Sequence, residues 1–248
     1  MIRFWRMALA AALMVAPMTV RAEPVALVTG DNYRPYADRS LPGGGLLTIL
    51  VRKVFAEMGR EATIDFLPWK RGYRDMLAHD FVATFPYRQA EMRNDEVLYS
   101  APLVMGQSVA VVREAAGWSL DDLSAARPRI CRAGGYSSFF DDWLAEGTAR
   151  LIEPGDIDEC LRMIGADRAD VMSIDRMVYV ATRAITFVEA PLATLPLPST
   201  EGSLHLVVAR DLPGAQGLID DFDAALGRLT AEGWVAGLMK RYTLAAAR

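Results

Sequence analysis

Short apolar runs alternate with segments of helical period along most of this chain, and that alternation restricts it to folds in which strands and helices share layers. Val25-Ala26-Leu27-Val28-Thr29 is closed by Gly30-Asp31-Asn32, so residues 25–29 read as a buried strand leading into a loop. After Pro42-Gly43-Gly44-Gly45, the residues Leu46, Leu47, Leu50, Val54, Phe55 and Met58 recur at helical spacing, and Gly59 ends the helix. The three glycines lack the Lys-Ser/Thr of a nucleotide loop and read as a glycine-rich connection. Residues 62–66 give a second strand, Trp69, Tyr73, Met76 and Leu77 share a helical face, and 81–85 give a third strand. The pattern resumes beyond residue 105, with strands over 108–112, 129–132 and 169–173 and helices through 139–144 and 157–164. A last strand over 204–208 precedes two amphipathic helices, 218–229 and 234–242, parted by Gly233, while Leu195-Pro196-Leu197-Pro198-Ser199 reads as an extended crossover. Two α/β units therefore follow one another.

The first residues have a different character. Arg3 and Arg6 precede an apolar run over 7–15, and Val20-Arg21-Ala22 places small residues before Glu23, the pattern of a secretory signal cut after Ala22. The run falls short of the roughly 20 residues that span a bilayer, and Pro17 lies just past it. Export to the periplasm and a soluble mature chain of 226 residues (248 minus 22) are expected. The formal charge of −4 becomes −7 once Arg3, Arg6 and Arg21 are gone, which disfavours nucleic acid and anionic lipid as partners. Cys131 and Cys160 are the two cysteines, and an oxidising compartment favours one bridge between them over two buried thiols.

Arg93-Asn94-Asp95-Glu96-Val97-Leu98-Tyr99-Ser100-Ala101-Pro102 presents an Arg, three further residues, Val, one residue, an aromatic, Ser, one residue and Pro, and this spacing resembles a string of the family 3 extracellular solute-binding proteins, the periplasmic receptors of polar amino-acid importers. Asp31-Asn32-Tyr33-Arg34-Pro35-Tyr36 resembles the family's first loop and Leu67-Pro68-Trp69-Lys70-Arg71 its second. Residues 168–175 resemble the segment ending in a ligand-binding Asp, and 226–242 the closing helices. The resemblance implies a periplasmic-binding-protein-like type II α/β fold, with two lobes joined by two crossover segments and a ligand cleft between them. Lobe I would comprise 23–105 plus 200–248, and lobe II 106–199. It further implies a monomer that hands a small, carboxylate-bearing solute to an ABC permease in the inner membrane.

A planar guanidinium at Arg93 can grip a carboxylate through two parallel hydrogen bonds, the role the resemblance implies for it. The plainer alternative is an ion pair with Glu91 or Glu96. Asp175 stands at a strand end, where it can accept from an ammonium group and complete a zwitterion clamp, or cap the helix that follows, or both. Tyr33 and Trp69 match family positions that stack on solutes, whereas for Tyr36 and Tyr87 packing and ligand contact both stand. Gly134-Gly135-Tyr136-Ser137 follows a strand, so the backbone at Gly135 and Tyr136 can either meet an anion or simply turn. The chain departs from the family at Pro86, Tyr87, Arg88 and Ala90, where Ser or Thr is common, and Arg88 with Arg71 adds charge that suits a dicarboxylate or lies in solvent.

With His79 and His205 the only histidines and no ligand spacing, neither a metal nor a His-based triad is expected, nor any cofactor. A binding protein rather than an enzyme is the expectation. The rivals are a periplasmic dehydratase-like enzyme on the same scaffold, with Asp175 as general acid, and an accessory or sensor protein.

Overall fold

The computed structural model describes residues 23–89 and 93–246, leaving aside the side chains of 199–201 and 243–246, so the signal segment and Ala90 and Glu91 lie outside the described residues. Strand β1 (Val25–Thr29) lies between β2 (Ala62–Phe66) and β3 (Ala83–Arg88), parallel to both. A strand flanked on both sides in a covered parallel sheet must be apolar throughout, which is why Val25, Leu27 and Val28 are buried together. Helix α1 (Leu46–Glu57) buries Leu46, Leu47, Leu50, Val51, Val54 and Phe55 on one stripe. Phe55 meets Phe222 of α7 (Ala215–Ala231) with ring centroids 5.7 Å apart, and α8 (Trp234–Ala246) closes that layer. The Gly43–Gly45 turn takes positive φ at all three residues, and a Cβ on Gly45 would clash with the Tyr36 carbonyl, so the glycines serve the turn.

Among the described residues nine strands form one sheet: eight follow the path β2-β1-β3-β9-β5-β8-β6-β7, and β4 (Val97–Tyr99) pairs β9 off that path. Strands β5 (Val104–Arg113) and β9 (Leu192–Ala209) run antiparallel along nearly their whole length and connect two halves of the sheet. One half holds β1 to β4; the other holds β6 (Arg129–Cys131), β7 (Arg150–Ile152) and β8 (Val171–Asp175). Helices α3 (Leu120–Ala125), α4 (Asp141–Ala145), α5 (Ile157–Gly165) and α6 (Arg176–Arg183) belong to this second half, and α2 (Trp69–Leu77) to the first.

Two expectations need correction. The third strand begins at Ala83 and runs on to Arg88, because Tyr87 pairs with His205 and Arg88 with Leu204 across β9. The strand expected over 204–208 and the crossover at 195–199 are one element of 18 residues, since β5 supplies partners from Leu192 to Leu204. Long-range pairing, which no local pattern encodes, sets both boundaries.

Cys131, at the end of β6, is bonded to Cys160 in α5, and both are buried. Nearby, Asp170 accepts from Arg129 three times, from the backbone N–H (2.6 Å), Nε (3.1 Å) and Nη2 (2.6 Å). Burial pushes the Asp170 carboxyl up, but the Arg129 bonds and charge outweigh it and hold the group below the usual carboxylate range. Because the folded pKa is lowered, the stabilisation is present above the unfolded value and is lost as pH falls through the folded one. Asp170→Asn is therefore expected to lower stability by about 1–3 kcal/mol at neutral pH. Urea unfolding at pH 7 and in acid checks this, since the gap to the parent should shrink in acid.

Candidate functional site

A cavity of about 520 Å³ lies where the two halves face each other, and its lining draws on both. All seven candidate ligand residues line it: Tyr33, Trp69, Tyr87 and Arg93 from the first half, Gly135, Tyr136 and Asp175 from the second. Arg88 lines it as well, whereas Arg71 pairs with Asp75 at 3.3 Å and is absent from the wall.

The aromatic wall forms because the loop after β1, the start of α2 and the loop after β6 converge. Trp69 packs edge-on to Tyr33, Tyr87 and Tyr136, with centroids 5.6–5.8 Å apart, and its Nε1–H donates to the Tyr136 hydroxyl at 2.9 Å across the two halves. A Cβ on Gly30 would overlap the Trp69 indole, which explains why glycine follows the first strand. Lys70 pairs with Glu153 at 2.6 Å, a second link between the halves. Burial pushes the phenols of Tyr33, Tyr87 and Tyr136 above their ordinary range, so they remain neutral hydrogen-bonding groups.

Arg93 lies over the faces of Tyr87 and Tyr73, 5.5 and 6.0 Å from the ring centroids, and its Nη1 donates to the Arg88 carbonyl at 3.0 Å. Among the described residues it pairs with no carboxylate. Glu96, one alternative partner, instead accepts from the Tyr73 hydroxyl at 2.8 Å; the other, Glu91, lies outside the described residues.

Asp175 has an environment that the sequence suggested only in part. Its Oδ1 accepts from the Met177 and Val178 amides at 2.9 and 3.3 Å, the N-cap of α6, and from the Tyr36 hydroxyl at 3.3 Å. Its Oδ2 pairs with Arg88 Nη2 at 3.2 Å, and the side chain is fully buried. Burial raises the carboxyl above its usual range, while Arg88, the two amides and Tyr36 pull it back. Tyr36 is thus a packing and positioning residue, absent from the wall.

The Arg88–Asp175 pair lies against two glycines that face each other in register, Gly106 of β5 and Gly202 of β9. A Cβ on Gly106 would overlap the Asp175 carboxylate, and one on Gly202 the Arg88 guanidinium. A lone glycine inside a strand is a sequence signal for close approach, and these two carry it. Sequence reasoning also missed Arg132, Ser138 and Ser173 on the second wall. Arg132 pairs with Asp141 at 2.7 Å, and Ser173 Oγ takes the Phe139 N–H at 2.8 Å beside Ser138 Oγ at 3.0 Å.

Neither a protein-family model nor a curated protein sequence matches this chain. Solved structures do. The ligand-binding core of GluR0 from Nostoc punctiforme, in complex with L-glutamate, is similar with a TM-score of 0.74 at 17% identity, covering 88% of this chain and 99% of that one. The substrate-binding protein of an amino-acid ABC transporter is similar at 0.75 and 15%, covering 89% and 99%. A histidine kinase sensor domain with similarity to periplasmic binding proteins is similar at 0.74 and 15%, covering 90% and 96%. Two α/β halves joined by the paired strands β5 and β9, a cavity between them and these likenesses together identify the fold as the two-lobed, periplasmic-binding-protein-like type II fold.

Proposed function

We propose that this protein is a periplasmic receptor that closes around a small polar solute, an amino acid or related carboxylate, and delivers it to an ABC permease. The observation that carries the reading is the cavity between the lobes, where Arg93, Asp175, Tyr33, Trp69, Tyr87, Gly135 and Tyr136 come together from segments far apart in sequence. In this reading lobe I comprises 23–105 with 200–248, lobe II comprises 106–199, and the segments near residues 105 and 200 act as the hinge. Arg93 grips the solute carboxylate, the tyrosines and Trp69 shield it from water, and closure is favoured to the extent that the solute binds the closed form better. The leader is removed after Ala22, and the mature chain acts as a monomer.

A thermal-shift panel of amino acids and organic acids tests this. A true ligand present at 100 times its Kd should stabilise the protein by about 2.7 kcal/mol, a readily measured rise in melting temperature. A panel without a single stabilising carboxylate overturns the reading. Amino-terminal sequencing of the exported protein should begin at Glu23.

A further inference from the structure

We propose that the cavity selects a small dicarboxylate without an ammonium group, because Arg88 is a built-in cation on the one carboxylate that an ammonium would need. The inference rests on the cavity being a solute site. Among the described residues its wall carries three guanidinium side chains, Arg88, Arg93 and Arg132, and a single carboxylate, Asp175. That carboxylate already accepts from Arg88, Tyr36 and the Met177 and Val178 amides. An α-ammonium brought into the cavity would have to displace Arg88 from Asp175 or stand near Arg93 without a carboxylate of its own, and either costs free energy in a poorly solvated site.

Arg88 is held in this role by the fold. Gly106 and Gly202 stand opposite each other on the paired strands and leave the space that Arg88 and Asp175 occupy. The pair therefore joins the end of β3 in one lobe to the end of β8 in the other, directly over the crossing strands.

Two anion-binding stations remain on opposite walls. The first is Arg93, stacked on Tyr87 and Tyr73. The second is Arg132 with the hydroxyls of Ser138 and Ser173. Arg132 gives its terminal nitrogens to Asp141 and Glu153, at 2.7 and 3.8 Å, and the hydroxyls of Ser138 and Ser173 lie 3.0 Å apart on the same wall. Hydroxyl donors beside a guanidinium suit the second carboxylate of the solute.

Glutarate and L-glutamate form a matched pair for the test, since they differ by the α-ammonium alone. Calorimetry on the purified protein is expected to show saturable binding of glutarate or the shorter succinate, with glutarate preferred over glutamate at least tenfold. Equal or tighter binding of glutamate, or of any other α-amino acid on the panel, overturns the proposal while leaving the receptor reading intact. Failure of both dicarboxylates and amino acids to bind overturns both. In Arg88→Gln, which frees Asp175 of its cation, the preference for glutarate over glutamate should fall at least tenfold. An unchanged preference would remove Arg88 from the selection.

Discussion

Arg93→Ala is expected to weaken binding of the solute carboxylate about 100-fold or more. Truncating one partner of a buried, hydrogen-bonded charge pair costs about 2–5 kcal/mol, and each 1.4 kcal/mol is a factor of ten. The unliganded protein should lose far less. Arg93 gives up one hydrogen bond to the Arg88 carbonyl and its stacking on Tyr73 and Tyr87, a change of about 1–2 kcal/mol. These contacts predict a small drop in melting temperature. Arg93→Lys separates charge from geometry. A point charge keeps the attraction but not two parallel hydrogen bonds, so its affinity should fall between those of the parent and the alanine variant. Calorimetry with the best solute from the panel measures all three, and unchanged affinity in Arg93→Ala would dismiss Arg93 as the carboxylate grip.

Loss of the Cys131–Cys160 bridge is expected to have the largest effect on stability. The cysteines are 29 residues apart, and releasing a loop of that size returns chain entropy to the unfolded state worth about 3–4 kcal/mol. For a chain of this length that corresponds to a drop in melting temperature of roughly 10 °C. The bridge fastens the end of β6 to α5, and the loop that leaves β6 carries Gly135 and Tyr136 into the cavity wall. Cys131→Ala with Cys160→Ala should therefore loosen that wall and weaken solute binding by a smaller factor than Arg93→Ala. Melting curves of the double variant and the parent decide it: coincident transitions would show that the bridge adds nothing.

Much of this site was legible in the sequence, and for a physical reason. The string from Arg93 to Pro102, the loops around Tyr33 and Trp69 and the strand end at Asp175 are short contiguous segments, so their resemblance to the family's strings needs no long-range information. They could be placed at element ends without knowing what lay opposite. Arg88 was different. Its charge was visible, but whether it faced solvent or the cleft depended on β3 continuing past Phe85, and only pairing with His205 and Leu204 extends the strand that far.

The sequence by itself determined the buried strand over Val25–Thr29, the apolar stripe of α1 and the oxidisable cysteine pair, each from a residue pattern or a count, and the resemblance of short strings marked the residues that surround the cavity. Tertiary structure alone decided the 18-residue course of β9, the facing of Gly106 and Gly202, and the partner of Asp175. Those depend on hydrogen bonds and charges between residues far apart in the chain, from 79 positions for Arg113 and Leu192 to 87 for Arg88 and Asp175 and beyond, and distance along the sequence carries no record of which groups meet.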